Sequence, residues 1–590
     1  SGVYYPKKNY SFETVDSLGV TLDTTILGLP KESDWIFKAE YLDATLIKNS
    51  VTYEMARRMG GYAPRTRFCE LLLDGEYIGL YTLTEKVKRD ANRVDIAKLT
   101  AKDTTGSALT GGYIIEMNIN NNPSDWSSIY PPINQATAPD AVEFKYVYPR
   151  RDVIQPQQSN YIRNYVAEFE DVLAGNDFTN PATGYRKYID VKTFIDFLIV
   201  NEYSVNYDSY GRSSYLYKEK NSAGGKLKSG PPWDYDRALD YTQPNTTNGW
   251  VWEITHPYWP FPFWWSRMWE DERYRKQLAC RWTMLRQNVL RTDSFLVLID
   301  SSAALLSEAE PRNTRFWNTL GNAPYATHID SLKSYVARRL AWLDATLAQE
   351  QVSIPNIYLP ADTVVCPGTV FDAAALNAGP YRYNWQPGPD TSTIQLSQAG
   401  IYHLRVTDPY GCYAQRDMQV SLAVPGPAGF QGQQDNSLTW TFLPENLAAQ
   451  YYYWNFGDGS TSLLQNPAHN YAATGTYIVT LTTMDSLDCF TQTDQDTFEI
   501  NSVRTLEQTD LPGLVFPNPF REILQIRLAA PANGPFTLQL ENTIGQTVLS
   551  QEYGAGTQTA SLATGDIPAG AYGLRIKMGD KVWRVRVVRE

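Results

Sequence analysis

The sequence predicts a multidomain protein, α/β (α+β) over its first 350 residues and all-β thereafter, with the β part divided into three sandwiches. Three observations carry this. At 590 residues the chain exceeds what one hydrophobic core organises. Apolar residues recur at helical and strand spacing in turn up to about residue 350, and only at strand spacing beyond it. The later runs are short, rich in Val, Thr and Tyr, and separated by Gly, Pro and Asn, which is the pattern of sandwiches.

The elements follow in order. "SVTYEMARRMG" (50–60) has helical spacing, and "FCELLLDGEYIGLYTLTEKV" (68–87) reads as two strands joined by the Asp74-Gly75 turn. An apolar helix is predicted over 193–205, a strand over "SSYLYK" (213–218) and another over "GKLKSG" (225–230). "FWWSRMWEDERYRKQLACRWTMLR" (263–286) again has helical periodicity. The stretch 347–362 closes the helical region, so the expected domains are 1–350, 351–423, 424–504 and 505–590.

Composition narrows function. The chain carries 52 basic and 64 acidic residues, a net charge of −12, which argues against nucleic acid or an anionic membrane as partner. No apolar run reaches the ~20 residues of a membrane-spanning helix. The 16 Trp and 40 Tyr are unusually many, and six of the tryptophans fall in 250–274. Such density suits either a ligand surface for sugars or the packing of a helical core, and helical spacing favours packing. The five cysteines show no zinc spacing. Cys366 and Cys412, near the ends of one β segment, are the expected disulfide, with Cys69 and Cys280 as buried free thiols. Ser1 opens the chain without an initiator Met or signal peptide, the pattern of a processed form or a fragment.

Residues 451–483 resemble a PKD-type immunoglobulin-like repeat: Trp454, Phe456 and the Gly457-Asp458-Gly459 turn, then His469-x-Tyr471 before Gly475-x-Tyr477-x-Val479. The preceding segment, with "VVCPGTVFDAAA" and "AGIYHLRVTDPYGC", is similar to another immunoglobulin-like module of Bacteroidetes surface proteins. The C-terminal stretch, "VFPNPFREILQIRL" through "DIPAGAYGLRI", resembles the sorting domain of type IX secretion cargo. That resemblance implies export to the cell surface or medium, with the type IX machinery as partner.

The first half carries the chemistry. Asp208, in "VNYDSYG", follows a predicted helix and precedes a strand. Asp234 and Asp236, in "SGPPWDYDRALDY" (229–241), stand two apart, so in strand-like geometry both carboxylates share a face and reach one Mg²⁺. Together with "KAEYLDATLIKNSVTYEMARRMG" and "FLIVNEYSVNYDSYGRSSYLYKEK", these stretches over residues 3–350 resemble the CotH family of atypical protein kinases, with a protein-kinase-like fold. The opening "YYPKKNYSFET" is similar to the strand that follows an Arg-Gly-x-Ser element there, which implies a chain beginning inside the first sheet. The resemblance implies Asp208 as catalytic residue, Asp234 with Asp236 as Mg²⁺ ligands, ATP as cofactor and a protein hydroxyl as acceptor.

One departure concerns the metal. Ser213 stands where kinases place a metal-binding Asn, five residues past the catalytic Asp, and Asn206 is the candidate substitute. Lys38, Lys48, Lys86 and Lys88 are candidate phosphate-binding cations, and Glu85 a candidate partner for one of them; Lys48, Glu85 and Lys86 are taken as cofactor-binding. Against these roles, the three aspartates could form a structural turn network with backbone amides and Arg212 or Arg237. Two readings therefore stand: an exported atypical kinase, and an inactive kinase-like surface protein for adhesion, binding or assembly.

Overall fold

The computed structural model describes every residue except 1–4, 119–123, 134–139, 209, 243–246, 254–259, 436–437 and 502–512. The chain divides into two units, residues 1–364 with 368–421, and residues 365–367 with 422–590.

The first unit opens with a four-stranded antiparallel sheet of β1 (Tyr10–Glu13), β2 (Asp34–Lys38), β3 (Thr66–Leu73) and β4 (Glu76–Glu85), in the order β1-β2-β4-β3. Asp74 and Gly75 join β3 to β4 with φ of +52° and +86°, the doubly left-handed turn that matches strand twist. Helix α1 (Lys48–Arg58) lies between β2 and β3. The Asp43 carboxylate accepts the Lys48 N–H at 2.9 Å to start it, and Arg57 and Arg58 complement the dipole at its end.

A second, five-stranded sheet follows: β5 (Tyr113–Met117), β6 (Trp126–Ser127), β7 (Glu143–Tyr148), β8 (Ser214–Lys218) and β9 (Leu227–Ser229), ordered β6-β7-β5-β8-β9. A single turn, α2 (Gly106–Leu109), precedes β5, and α3 (Pro156–Ala174) and α4 (Val191–Ser204) separate β7 from β8. After β9 come α5 (Trp264–Trp269), α6 (Glu272–Gln287), α7 (Thr292–Leu305), α8 (Ala309–Trp317) and α9 (Tyr325–Leu347). Asp190 caps α4 by accepting the Thr193 N–H. Most of that helix is buried, Phe194, Phe197, Leu198 and Ile199 included, and it packs against β9, α1, α6 and α9.

The tryptophan-rich segment packs this core. Trp250, Trp252, Trp264 and Trp265 are buried and Trp269 packs against them, while Trp259 lies outside the described residues. The run expected as one helix is two, because Asp271 accepts the Arg273 N–H and starts α6 afresh. Trp264 Nε1–H also donates to Glu170 of α3 at 2.9 Å, where Ser128 Oγ–H donates too. Burial pushes the Glu170 carboxyl up to about 7. The native state thus keeps a proton that the unfolded chain releases above its own value near 4.5, so this contribution is lost as pH rises towards 7. Glu170→Gln is expected to flatten the fall in urea stability over that window by an amount on the order of 3 kcal/mol.

The immunoglobulin-like module has strands at Asp362–Val365, Thr369–Asp372, Arg382–Gln386, Thr393–Leu396, Gly400–Thr407 and Tyr413–Leu422 around buried Trp385. The expected Cys366–Cys412 bond is not formed. Cys412 is bonded to Cys280 of α6, and Cys366 to Cys489; among the described residues Cys69 is free. Spacing misled because Cys412 sits in a turn closed by Asp408, which accepts the Cys412 N–H at 2.7 Å and buries the sulfur against α6. There Lys276 lies 4.4 Å from the Tyr410 ring. Sequence separation alone does not fix disulfide connectivity.

The second unit is all-β. Strands between Phe430 and Ile500 form sheets of three and four strands over Phe442, Trp454, Phe456 and Val479, and the Asp458 turn is braced by His469 Nε2 at 2.7 Å. Strands between Gly513 and Arg589 again form sheets of three and four, with Phe520 of the Pro-Asn-Pro-Phe stretch fully buried.

Candidate active site

Two loops carry the acids. Helix α4 ends on Val205, whose φ of +50° turns the chain out of the helix into Asn206 and Asp208. After β9, Gly230, Pro231 and Pro232 lead to Trp233 and then Asp234, which is itself left-handed at φ +66°. Asn206 clasps the two loops: its Nδ2–H donates to the Asp234 carbonyl at 3.3 Å, and its Oδ1 accepts the Asp208 N–H at 3.3 Å.

Lys38, the last residue of β2, completes the site. Its ammonium lies 2.5 Å from Asp234 Oδ1 and 4.6 Å from the Trp233 ring. Burial opposes its charge, but Asp234 and Asp236 outweigh burial and raise its pKa. For Asp234 burial works upward, yet Lys38 and then Arg212 hold the carboxyl below its usual range. Asp236 goes the other way, pushed up to about 6 by burial, by Asp234 and by Asp208, against Lys38 and Arg237. Asp236 therefore feels the charge of both Asp234 and Asp208.

Two further acids join them. Glu40, in the loop from β2 to α1, is buried and pushed up to about 8 by burial, Asp43 and Asp236. Its Oε2 accepts Asn49 Nδ2–H at 2.8 Å, whereas its buried Oε1 has no hydrogen-bond partner. Glu116 of β5 is raised to about 7, by burial above all, with Asp234 among its neighbours. No motif spacing marks either acid in the sequence; they reach the site through the sheets.

The cofactor-binding trio predicted from sequence is not assembled here. Glu85 pairs with Arg65, at 3.0 Å to the guanidinium and 2.9 Å to the backbone N–H, and with no lysine. Strand parity explains it: Glu85 is opposite Trp35 and Lys38 opposite Thr82, and positions three apart on a strand face opposite sides of the sheet. Lys86 is half-exposed and 3.6 Å from Asp34, and Lys88 bonds Glu32 and Asp34. Lys48 is buried at the start of α1 with its ammonium 5.4 Å from the Tyr241 ring. Of the four candidate lysines, Lys38 meets the acids, and the register of β2 against β4 puts it there.

The residues fit a divalent cation. Six carboxyls, of Asp208, Asp234, Asp236, Glu40, Asp43 and Glu116, face four cations, of Lys38, Arg212, Arg237 and Lys145. A hard ion with oxygen ligands would relieve that excess and occupy the unpartnered Glu40 Oε1. Among the described residues, the trio of potential ligand side chains whose ligand atoms lie within 4.8 Å of one another is Cys280, Asp408 and Cys412, whose sulfurs are bonded. The acid cluster is more open than that, with Lys38 inside it.

A lysine-tipped sheet laid over two acid-bearing loops defines a protein-kinase-like domain. The chain belongs to the CotH kinase protein family, whose model matches residues 1–343. The family as a class uses ATP and a metal ion. A PKD domain matches 434–500, and a secretion system C-terminal sorting domain matches 514–590. The chain is thus a type IX secretion cargo exported to the cell surface or extracellular space. Among the described residues no helix is long and apolar enough to cross a membrane. A 42-residue stretch is 55% identical to collagenase ColA of Bacillus cereus, covering 7% of this chain and 4% of that relative's length. The PKD1 domains of Vibrio anguillarum Epp and of the Vibrio cholerae metalloprotease PrtV are each 28% identical over 13% of this chain. The matches span 93% and 95% of those structures, with TM-scores of 0.12.

Proposed function

We propose that the N-terminal domain transfers a phosphoryl group from ATP to a hydroxyl of an acceptor protein outside the cell. The observation that carries this reading is the joining of the Asp208 and Asp234 loops through Asn206, with Lys38 paired to Asp234 and Asp236 in the field of both other aspartates. Bound ATP and Mg²⁺ would supply the phosphoryl group and the charge that neutralises it, with Asp234 and Asp236 as ligands. Asp208 orients the acceptor hydroxyl and takes its proton as the oxygen attacks. Lys38, now on Asp234, would hold the phosphate oxygens of bound ATP, and Asn206 keeps the two loops in register. The four-module division at 350, 423 and 504 belongs to the same proposal, with the β modules as spacers and the last as the export address.

A second reading has its own observation. Ser213, at φ +54°, offers a hydroxyl where kinases present a metal-binding amide, and Asp234 is held in an ion pair by Lys38. On that reading the domain is an inactive surface-binding scaffold. Transfer of the ATP γ-phosphoryl group by the full chain, with Mg²⁺, to hydroxyls of a mixture of added proteins, with ADP released and the reaction abolished by chelation, separates the two: its presence supports the kinase and its absence the scaffold.

A further inference from the structure

We infer that Asn49 and Tyr53 of α1 are positioning residues that aim the Asp234 carboxylate, so that the seating of this helix sets cation affinity. The inference rests on the proposal that Asp234 is a metal ligand.

Asn49 and Tyr53 stand four residues apart on one face of α1, both buried. Tyr53 Oη accepts the Asp234 N–H at 3.0 Å, and Asn49 Oδ1 accepts the Tyr235 N–H at 2.7 Å. Two successive backbone donors are thus held from one helix. Between them Asp234 adopts φ +66°, a conformation unfavourable for a residue with a Cβ, which persists where its surroundings over-determine it.

The rest of the turn is pinned as firmly. The Tyr235 hydroxyl donates to Asn201 Oδ1 of α4 at 2.5 Å, and the Tyr53 ring stacks on Trp233 with centroids 6.3 Å apart. Asn49 also donates to Glu40, so one side chain ties the Asp234 turn to the loop that follows Lys38. Protein kinases join their helix to the site through an ion pair. Here the helix acid, Glu54, is paired with Arg57 and Arg58 at 2.6 and 2.9 Å. The link to Asp234 runs through neutral hydrogen bonds instead. Without them the peptide is free to leave the left-handed region, and the carboxylate turns away from Lys38 and Asp236.

The test titrates MgCl₂ into the full chain with a non-hydrolysable ATP analogue, comparing wild type, Tyr53→Phe and Asn49→Ala. Both variants are expected to bind Mg²⁺ about 10-fold more weakly, as when a residue that orients a metal ligand is lost. With ATP in place of the analogue, ADP release at saturating Mg²⁺ should recover towards the wild-type rate, which a general loss of structure would not allow. Tyr53→Phe keeps the ring contacts with Trp233 and Tyr235 and carries the test if Asn49→Ala does not fold. Wild-type Mg²⁺ affinity in Tyr53→Phe overturns the inference. If wild type itself binds no Mg²⁺ with the analogue, the proposed function falls and crystal structures of the variants decide. Asp234 moved to negative φ supports the positioning role, and Asp234 still near +66° overturns it.

Discussion

Replacing Asp208 by Ala is expected to lower phosphoryl transfer about 10³-fold, the scale of a lost positioned base, while leaving Mg²⁺-dependent nucleotide binding nearly unchanged. The split follows from the two loops. Asp208 lies on the loop leaving α4 and contributes charge to Asp236, but the ion pair with Lys38 belongs to Asp234. Removing Asp208 therefore subtracts one acid from a cluster with an excess of them, which does not weaken the Lys38–Asp234 contact. Rates of ADP release against calorimetric affinity, on the same preparations, measure both halves. A parallel loss of binding and rate would place Asp208 among the metal ligands instead.

Arg339→Met is expected to destabilise the first unit by about 3–5 kcal/mol, the scale of breaking a fully buried ion pair. Arg339 and Glu202 have side chains 0% and 1% exposed, and their N–O separation is 2.8 Å. The guanidinium also donates to the carbonyls of Glu202, Thr247 and Gly249 at 2.6, 3.0 and 2.8 Å. Methionine leaves all three unanswered. Glu202, whose carboxyl is held up near 7 by burial against the pull of Arg339, would lose its one strong counter-charge. Glu202 sits on the last turn of α4, four residues before Asn206. Urea unfolding of wild type and variant measures the destabilisation, and a double variant Arg339→Met/Glu202→Gln should regain part of the loss.

How much of this was legible beforehand differs by residue. The Asp74-Gly75 hairpin and helix α4 came directly from local pattern, because turn chemistry and apolar spacing act over a few positions. The acids at 208, 234 and 236 are legible through order along the chain, because each lies on a loop a few residues past the end of a helix or strand that local pattern marks. Lys38 was harder to single out from three other lysines, since what distinguishes it is register against β4, a long-range property. Glu40, Glu116, Asn49 and Tyr53 carry no signature at all, being ordinary side chains until tertiary packing brings them together. The same limit applies to Cys280 and Cys412, separated by 132 residues and joined by a packing surface that spacing does not encode.

The central claim is that Asp234 is the metal-binding carboxylate of an ATP-using site. Its most direct measurement is isothermal titration of an ATP analogue into the full chain, with and without Mg²⁺, for wild type and Asp234→Ala. The account predicts binding that requires Mg²⁺ in wild type and is lost in the variant. Mg²⁺-independent binding, or equal binding by both proteins, would contradict it.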